Sequence, residues 1–247
     1  METVLITGCS SGFGLETARY FLERDWNVIA TMRMPREDVL PCSARLRVLA
    51  LDVTDPRSIR EAVDAAGPVD VLVNNAGVGL LGAFEGTSME TVRQVFETNT
   101  FGTLAMTHAL LPQFTHRRCG TIINVASAVT LKSFPLLSIY TASKAAIVAF
   151  TESLALELEA FDVRVGLILP GRAPETRFGE NVQRLMPNGI PQAYEAFAHA
   201  ALAKVEQVDA VTHSLDVAQA VWRFATDTAC PARLPAGADA VAIAESR

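Results

Sequence analysis

The chain has 247 residues, half of them hydrophobic, with a formal net charge of −6 and a pI near 5.3. This length and hydrophobic content suffice for one large core, and no Gly-, Ser- or Pro-rich linker divides the sequence. We therefore expect a single domain over residues 1–247. The acidic balance, without any cluster of Lys and Arg, argues against nucleic acid or an anionic membrane as a partner and favours a small molecule.

The cysteine and histidine pattern bears on metal binding and on the compartment. The four cysteines are scattered, and they share no ligand spacing with the four histidines, so we expect no metal site and a reducing compartment. An apolar segment begins within the first three residues, which leaves no room for a signal sequence, and no run approaches the roughly 18 apolar residues of a membrane span. We therefore expect a cytoplasmic protein.

A glycine-rich stretch follows the first apolar run. Thr3–Thr7 precedes Gly8-Cys9-Ser10-Ser11-Gly12-Phe13-Gly14, and the amphipathic segment Leu15–Asp25 comes next, which predicts a strand, a tight turn and a helix. These glycines let the backbone approach a ligand closely, while free N–H groups at the helix start face an anion. The spacing differs from GxGxxG and lacks the Lys-Ser/Thr of a P-loop, so a flexible turn is the alternative. Its position after the first strand favours the pyrophosphate of a dinucleotide.

The end of the second strand, Asn27–Met32, bears on which dinucleotide is bound. A carboxylate at this point would accept a bond from the ribose 2′-hydroxyl of NAD and repel a 2′-phosphate. The strand instead runs into Arg33, with Arg36 nearby, which favours NADP(H). NAD remains the alternative because Glu37 and Asp38 follow.

Strand and helix patterns alternate along the rest of the chain. This alternation predicts an α/β fold with a doubly wound parallel sheet flanked by helices. Asp52 follows the third strand at the carboxyl edge, where its carboxylate is placed to accept a bond from an adenine amino group or simply to face water. The predicted strands are Leu46–Leu51, Val69–Val73, Thr121–Val125, Val163–Leu169 and a short one near Ala240–Ile243, and the predicted helices are Pro56–Ala66, Ser88–Gln113 and Asp216–Thr226.

The stretch from Ser127 to Lys144 carries the groups of a proton-transfer site. If Ser138 caps a helix, Tyr140 and Lys144 project from one face of its first turn. The ammonium would then lower the pKa of the phenol, and Ser127 at the end of a strand would polarise the substrate oxygen. A half-exposed Tyr beside a solvated Lys is the alternative for Tyr-x-x-x-Lys taken alone.

Residues 172–205, hereafter the lid segment, are longer than a simple crossover. The segment is broken by Pro187, Gly189 and Pro191 and is rich in Phe, Tyr and Ala, which is typical of a lid over substrate. Apolar residues near the site predict a mostly apolar substrate, with ordinary core packing as the alternative. These residues are Val78, Leu80, Leu81, Phe84 and Phe134.

Two helices are apolar almost all round. They are the helix after Tyr140, through Phe150, and the segment Phe101–Leu111. A helix buried on both faces needs a cover besides the sheet. A partner subunit is the expected cover, in a homodimer or homotetramer.

Six motifs occurring in order resemble the short-chain dehydrogenase/reductase family over essentially the whole length. The resemblance implies a single-domain Rossmann-like fold with strand order 3-2-1-4-5-6-7, bound NAD(P), and hydride exchange between an alcohol and a ketone or aldehyde. The N-terminal third looks more like hydroxysteroid and retinol-type members than like sugar reductases. The motifs are Thr7-Gly8-x-x-x-Gly12-x-Gly14, Asn74-Asn75-Ala76-Gly77, Asn99, Ser127 with Tyr140, Lys144, and Pro170-Gly171.

The resemblance also implies roles for individual residues. Tyr140 would be the acid and base, Lys144 would lower its pKa and hold the nicotinamide ribose, and Ser127 would orient the substrate oxygen. Asn99, which pattern alone would leave facing water, would kink its helix and hold a water of the proton relay. The implied cofactor contacts are Gly8, Ser10, Ser11, Gly12, Phe13, Gly14, Arg33, Asp52, Val53, Asn75, Ala76, Gly77, Tyr140, Lys144, Pro170 and Gly171.

One motif departs from the family's pattern. Pro-Gly is usually followed by an apolar residue and then by a Thr that meets the nicotinamide amide, whereas this chain reads Pro170-Gly171-Arg172-Ala173-Pro174-Glu175-Thr176. Thr176 is therefore the candidate for that contact.

Two other functions stay open. A sensor that binds NADP(H) without chemistry would not need Ser127, Tyr140 and Lys144. A reductase of 3-oxoacyl chains on a carrier protein would need a basic rim, for which Arg172 and Arg184 are candidates, together with Arg177.

Overall fold

The computed structural model describes residues 2–186, 189–206 and 209–246. In this part of the chain a parallel sheet of seven strands has the order β3-β2-β1-β4-β5-β6-β7, which confirms the predicted sheet. The strands are β1 (Thr3–Ile6), β2 (Asn27–Met32), β3 (Leu46–Ala50), β4 (Val71–Asn74), β5 (Gly120–Val125), β6 (Val163–Pro170) and β7 (Arg233–Ala236).

Helices cover both faces of this sheet, as buried apolar strands require. Helices α1 and α8 bury Phe21 and Phe224 against one face. On the other face α2, α4 and α5 bury Ile59, Phe114 and Leu154. The helices are α1 (Gly12–Leu22), α2 (Pro56–Ala66), α3 (Met89–Phe96), α4 (Gly102–Arg117), α5 (Ser138–Leu158), α6 (Phe178–Leu185), α7 (Glu195–Glu206), α8 (Ser214–Thr226) and α9 (Ala238–Glu245).

The strand order reverses beside β1, and this places the functional crevice. β1 pairs with β2 on one side and with β4 on the other, so the turns that follow β1 and β4 diverge to opposite faces of the sheet. Ligands of open α/β sheets bind in the crevice outside the carboxyl ends of the strands at such a point. The glycine-rich turn after β1 lies there.

Two predicted helix starts depend on side-chain caps, and one of them is wrong. Helix α2 starts at the predicted Pro56, where the carboxylate of Asp55 caps it by accepting a bond from the N–H of Arg57 at 2.9 Å. Ser138 does not cap α5. It is the first residue of the helix, and the preceding position is Leu137, which makes no side-chain capping bond.

The predicted strand near Ala240–Ile243 is also wrong, because these residues belong to α9. A short apolar run does not distinguish a strand from a buried helical turn by periodicity alone. The last strand is instead β7, which pairs only with β6 at the edge of the sheet. An edge strand tolerates Pro235 because one side of it needs no donor.

The predicted helix Ser88–Gln113 is present, but it is interrupted by a π-helical segment and it ends later than predicted. Ser88 caps α3 by accepting a bond from the N–H of Thr91, and α4 continues to Arg117. Between them, Glu97–Phe101 forms a π-helical segment. Such bulges distort a helix locally and often occur at functional sites.

Within the described ranges, none of the helices combines the length and the apolar character that crossing a bilayer requires.

Candidate active site

A cavity of about 730 Å³ opens along the carboxyl edge of the sheet. It runs from the glycine turn after β1 to the first turn of α5. Most of the residues predicted as cofactor contacts line it, and they come from separate parts of the sequence. They are Gly8, Ser10, Ser11, Gly12, Phe13, Arg33, Asp52, Val53, Asn75, Ala76, Gly77, Tyr140, Lys144 and Thr176.

The glycine turn is packed so tightly that side chains would not fit. Gly8 has a φ of 76°, and a Cβ there would lie 2.9 Å from Cα of Ala76. A Cβ at Gly14 would lie 2.4 Å from both Gly8 O and Asn75 Nδ2. Gly14 therefore does not line the cavity, and its role is to let α1 approach the turn.

Polar contacts fix the turn after β1 to the turn after β4. Thr7 Oγ1 accepts bonds from the N–H groups of Asn75 and Ala76 at 3.0 and 2.9 Å. The Asn75 amide donates to the carbonyl groups of Thr7 and Gly8 at 2.8 and 3.2 Å. Asn75 thus supports the turn, while Ala76 and Gly77 complete the cavity wall.

The first turn of α1 has the features of a binding site for an anionic group. Ser11 precedes the helix with an extended backbone and no side-chain capping bond, so the first N–H groups of α1 lack the usual side-chain acceptor. Gly12, with a φ of 56°, exposes this helix start to the cavity. The cradle therefore suits a pyrophosphate.

Arg33 and Asp52, which follow β2 and β3, line the same cavity as the glycine turn. Arg33 is exposed at the cavity edge, and no ion-pair partner is found for it among the residues described. Arg36 differs, because it binds Asp38 with nitrogen–oxygen distances of 3.3 and 2.8 Å. Asp52 accepts bonds from Thr54 through Oδ1 only.

Tyr140 and Lys144 both face the cavity from the first turns of α5. Lys144 is 5% exposed, and its Nζ donates to the carbonyl of Val125 at 2.9 Å. Ser127 is next to them: its Oγ donates to the carbonyl of Pro170 at 3.4 Å and hydrogen-bonds with the side chain of Tyr140. The predicted hydroxyl, phenol and ammonium thus meet at one place.

The pKa of Tyr140 shifts in the opposite direction to the one the sequence predicts. Burial raises the pKa of Tyr140 to about 12, and a hydrogen bond with Ser127 opposes this only in part. Burial also lowers the pKa of Lys144 to about 8. The expectation that Lys144 lowers the phenol's pKa is therefore wrong for the protein alone, because desolvation penalises the charged form of both groups.

Asn99 lies in the π-helical segment and is fully buried rather than facing water. Its side chain accepts from the N–H of Val78 at 2.7 Å and donates to the Val78 carbonyl and to Ser143 Oγ. Ser143 Oγ in turn donates to the carbonyl of Tyr140 at 2.7 Å. A chain of hydrogen bonds therefore joins the cavity wall to the backbone of Tyr140.

Pro170 and Gly171 do not line the cavity. The N–H of Gly171 donates to Thr212 Oγ1 at 2.8 Å, and the N–H of Arg172 donates to the buried carboxylate of Asp239 at 2.6 Å. A Cβ at Gly171 would lie 2.1 Å from that carboxylate. These contacts fix the start of the lid segment to α9.

Part of the lid segment, between Thr176 and Arg184, contributes to the lining of the cavity. Thr176 lines the cavity, and its Cγ2 lies 3.4 Å from the position of a Cβ at Gly12. Phe178 packs edge to face on Tyr140, with 5.5 Å between the ring centroids. Pro187, predicted to break this segment, lies outside the described residues.

Of the predicted apolar residues near the site, Val78 alone lines the cavity. Leu80 is buried in a cluster with Val95 and Leu185. For Leu80 this agrees with ordinary core packing, the alternative to a position at the substrate site. Phe84 is 59% exposed.

Sequence reasoning missed Ser143 and Phe178, and it used Thr7 only as part of a motif. Ser143 gave a weak signal, because it lies three residues after Tyr140 and so shares its helical face. Nothing in the local pattern marks Phe178, whose partners Gly79 and Tyr140 lie far from it in sequence.

The sheet order, the glycine turn at its switch point and the Ser, Tyr and Lys side chains together define a Rossmann-like α/β protein. The family model for short chain dehydrogenase matches residues 2–185. The chain therefore belongs to the short-chain dehydrogenase family.

Two curated relatives and one solved structure illustrate this membership. A 3-ketodihydrosphingosine reductase of Bacteroides thetaiotaomicron is 40% identical over 174 residues, which are 69% of this chain and 63% of that protein. Human retinol dehydrogenase 8 is 40% identical over 181 residues, 69% of this chain and 58% of that protein. The chain thus spans less than two thirds of these relatives' length. A short-chain dehydrogenase from Burkholderia cenocepacia in complex with NADP superimposes with a TM-score of 0.79 at 26% identity, over 100% of this chain and 94% of that one.

Proposed function

We propose that the chain is an NADP(H)-dependent oxidoreductase that interconverts an alcohol and a ketone or aldehyde. The observation that carries this proposal is the single cavity that joins a glycine anion cradle to Tyr140 and Lys144. A binding-only sensor would need the cradle alone. The side chains of Ser127, Tyr140 and Lys144, which lie close together, have no use in such a sensor.

The residues present fit a bound dinucleotide. The turn Gly8–Gly14 would hold the pyrophosphate, Asp52 and Val53 the adenine, and Ala76 and Gly77 the adenosine side. Lys144 would bind the nicotinamide ribose, and Thr176 the nicotinamide amide. Bound NADP(H) would supply or accept the hydride.

Tyr140 would transfer the proton. With a pKa near 12 the phenol is neutral at pH 7, so it is ready to donate a proton to a carbonyl oxygen that is being reduced. Ser127 would hold that oxygen with its hydroxyl. Asn99, through Ser143, positions the backbone of Tyr140, and its relay water stays a prediction.

The substrate proposed is a mostly apolar alcohol or carbonyl compound. Val78 and Phe178 line the same cavity as Tyr140, and apolar walls of this kind favour apolar substituents. The relatives' names, a retinol dehydrogenase and a 3-ketodihydrosphingosine reductase, support the same class. We propose that the lid segment covers this substrate. We also propose that residues 1–247 form a single catalytic domain.

A panel of aliphatic, aryl and cyclic ketones, assayed with NADPH and with NADH, tests the function. Oxidation of the cofactor that depends on both ketone and protein supports it. Tight binding of NADPH without turnover of any ketone or of the matching alcohols would leave the sensor as the function.

A ketoacyl substrate on a carrier protein is the second candidate. Arg177 and Arg184 of the lid segment line the cavity, as a basic rim requires. Arg177 is however also engaged with Glu180 at 3.0 Å. Faster reduction of a carrier-bound 3-oxoacyl chain than of the same chain as a free thioester would favour this candidate.

We predict that Arg33→Ala raises the KM for NADPH by at least about tenfold and leaves the KM for NADH nearly unchanged. Arg33 stands free at the cavity edge among the described residues, so its guanidinium can bind a 2′-phosphate. Arg36→Ala is the matched control, because Arg36 is already paired with Asp38. Equal changes for both cofactors in the Arg33 variant would contradict the preference for NADP(H).

We propose that α4 and α5 form the interface of a homo-oligomer, either a dimer or a tetramer. Phe101 is 53% exposed and Leu156 is 72% exposed, and the small exposed residues Ala145 and Ala149 lie along the same helix as Leu156. A symmetric partner would bury this face.

We predict that Leu156→Glu halves or quarters the mass measured by light scattering relative to the unchanged protein. A buried unpaired carboxylate would destabilise the interface. Leu215→Glu, on α8, is the control for an exposed leucine elsewhere. A monomeric mass for the unchanged protein would refute the proposed interface.

A further inference from the structure

Three glycines in the loop between β4 and α3 each pack against a side chain of the lid segment. At each of them an added Cβ would lie less than 3 Å from the lid side chain, closer than van der Waals contact permits. None of the three has a φ in the left-handed region, so their backbones would accept other residues. The pairs are Gly79 with Phe178, Gly82 with Met186, and Gly86 with Pro191.

The closest of these three contacts is the one between Gly79 and Phe178. A Cβ there would lie 2.2 Å from Cδ2 and 2.3 Å from Cε2 of Phe178, and both atoms belong to a rigid ring. At Gly82 the close atom is the terminal Cε of Met186, which has free torsions and can move aside. The absence of a side chain at Gly79 therefore determines how deeply Phe178 is seated.

The seated ring also touches Tyr140. The two ring planes are 88° apart with 5.5 Å between centroids, a favourable edge-to-face geometry. Phe178 thus lies between Gly79 and Tyr140. Gly79, Tyr140 and Phe178 all line the same cavity.

From this geometry we infer that Phe178 is a specificity-determining residue. Its ring, seated on Gly79, forms the wall of the substrate space beside the Tyr140 hydroxyl and limits the width of the substituent next to the reacting oxygen. The inference rests on the proposed alcohol and carbonyl chemistry. It adds the side chain that selects among substrates, and it predicts that residues 79 and 178 act as one unit.

The first experiment measures substrate selectivity. Phe178→Ala should shift the ratio of kcat/KM for a bulky aryl ketone to that for a small aliphatic ketone by at least about tenfold toward the bulky one, because the removed ring leaves space. Phe178→Leu should give an intermediate ratio. An unchanged ratio in the alanine variant overturns the inference.

The second experiment tests the coupling of the two positions with a double-mutant cycle. Gly79→Ala should unseat the ring, lower kcat/KM about tenfold, and speed tryptic cleavage after Arg177 and Arg184 in the lid segment. In the Phe178→Ala background the same change should have almost no further effect, because the clashing ring is gone. Gly179→Ala is the matched control, since no atom of the described residues lies within 4 Å of a Cβ there.

The outcomes separate this inference from the proposed function. If the unchanged protein turns over neither a ketone nor the matching alcohol, the proposed function fails, and the rate of tryptic cleavage still reports whether Phe178 packs against Gly79. If Gly79→Ala alters cleavage equally with and without the Phe178 ring, the coupling is absent and the inference is overturned.

Discussion

Tyr140→Phe is expected to lower kcat by at least about 10²-fold while NADPH still binds. The substitution removes one oxygen atom at the end of the cavity and leaves the aromatic ring, so the edge-to-face packing with Phe178 can persist. Loss of a positioned general acid typically costs 10²- to 10⁴-fold in rate. Binding of NADPH, followed by its fluorescence, should change less than about threefold, because the glycine cradle is untouched.

Tyr20→Phe is the matched control for this substitution. Tyr20 lies on α1, where its ring contacts Arg24 and Trp222 away from the cavity. The control should keep full turnover. Turnover of the Tyr140 variant within about tenfold of the unchanged protein would show that another group supplies the proton.

Lys144→Met is expected to abolish most turnover and to change how stability depends on pH. Lys144 is buried, and burial lowers its pKa from 10.5 to about 8. Between these pH values the unfolded chain binds a proton that the folded chain does not, so the free energy of unfolding of the unchanged protein rises with pH across this window. Below pH 8 the buried charge costs about 3 kcal/mol relative to its ordinary state.

The methionine variant lacks this titration. Its stability relative to that of the unchanged protein should therefore fall by about 3 kcal/mol between pH 7 and pH 10.5. Urea unfolding at a series of pH values measures this difference directly, and any fixed cost of leaving the Val125 carbonyl unpaired cancels from it.

Lys132→Met serves as the control for removing a lysine, since Lys132 is exposed and does not line the cavity. A stability difference for Lys144→Met that does not change with pH would mean that Lys144 titrates near its ordinary pKa. The ammonium would then be hydrated, contrary to the buried position described above.

The parallel sheet could be predicted from sequence because it depends on local patterns, whereas most of the cavity lining was predicted through the resemblance to the short-chain dehydrogenase/reductase family. Apolar runs alternating with amphipathic ones specify parallel strands, and the handedness of their connections restricts the order. The glycine turn is readable for the same reason, since Gly8 and Gly12 adopt positive φ angles that other residues avoid. The spacing of Tyr140 and Lys144 places them on one helical face whatever surrounds the helix.

Prediction from local pattern was wrong where a short segment suited a strand and a helix equally well. The run that forms α9 is apolar and brief, and its alanines and isoleucine suit a strand as well as a helix. In the structure Gly237 precedes the helix with a φ of 97°, and Asp239 in its first turn accepts a bond from Thr212 Oγ1 at 2.7 Å. That contact joins residues 27 apart.

By itself the sequence determined the alternation of strands and helices, the anion cradle and the shared face of Tyr140 and Lys144, because each depends on residues that are neighbours along the chain or along one helix. The strand order was implied by the resemblance to the short-chain dehydrogenase/reductase family. Only the tertiary structure decided the direction of the two pKa shifts, the burial of Asn99 and the seating of Phe178 on Gly79. Desolvation and steric contact depend on which distant segments meet, and segments such as those of Asn99 and Ser143, 44 residues apart, meet only when the whole sheet has formed.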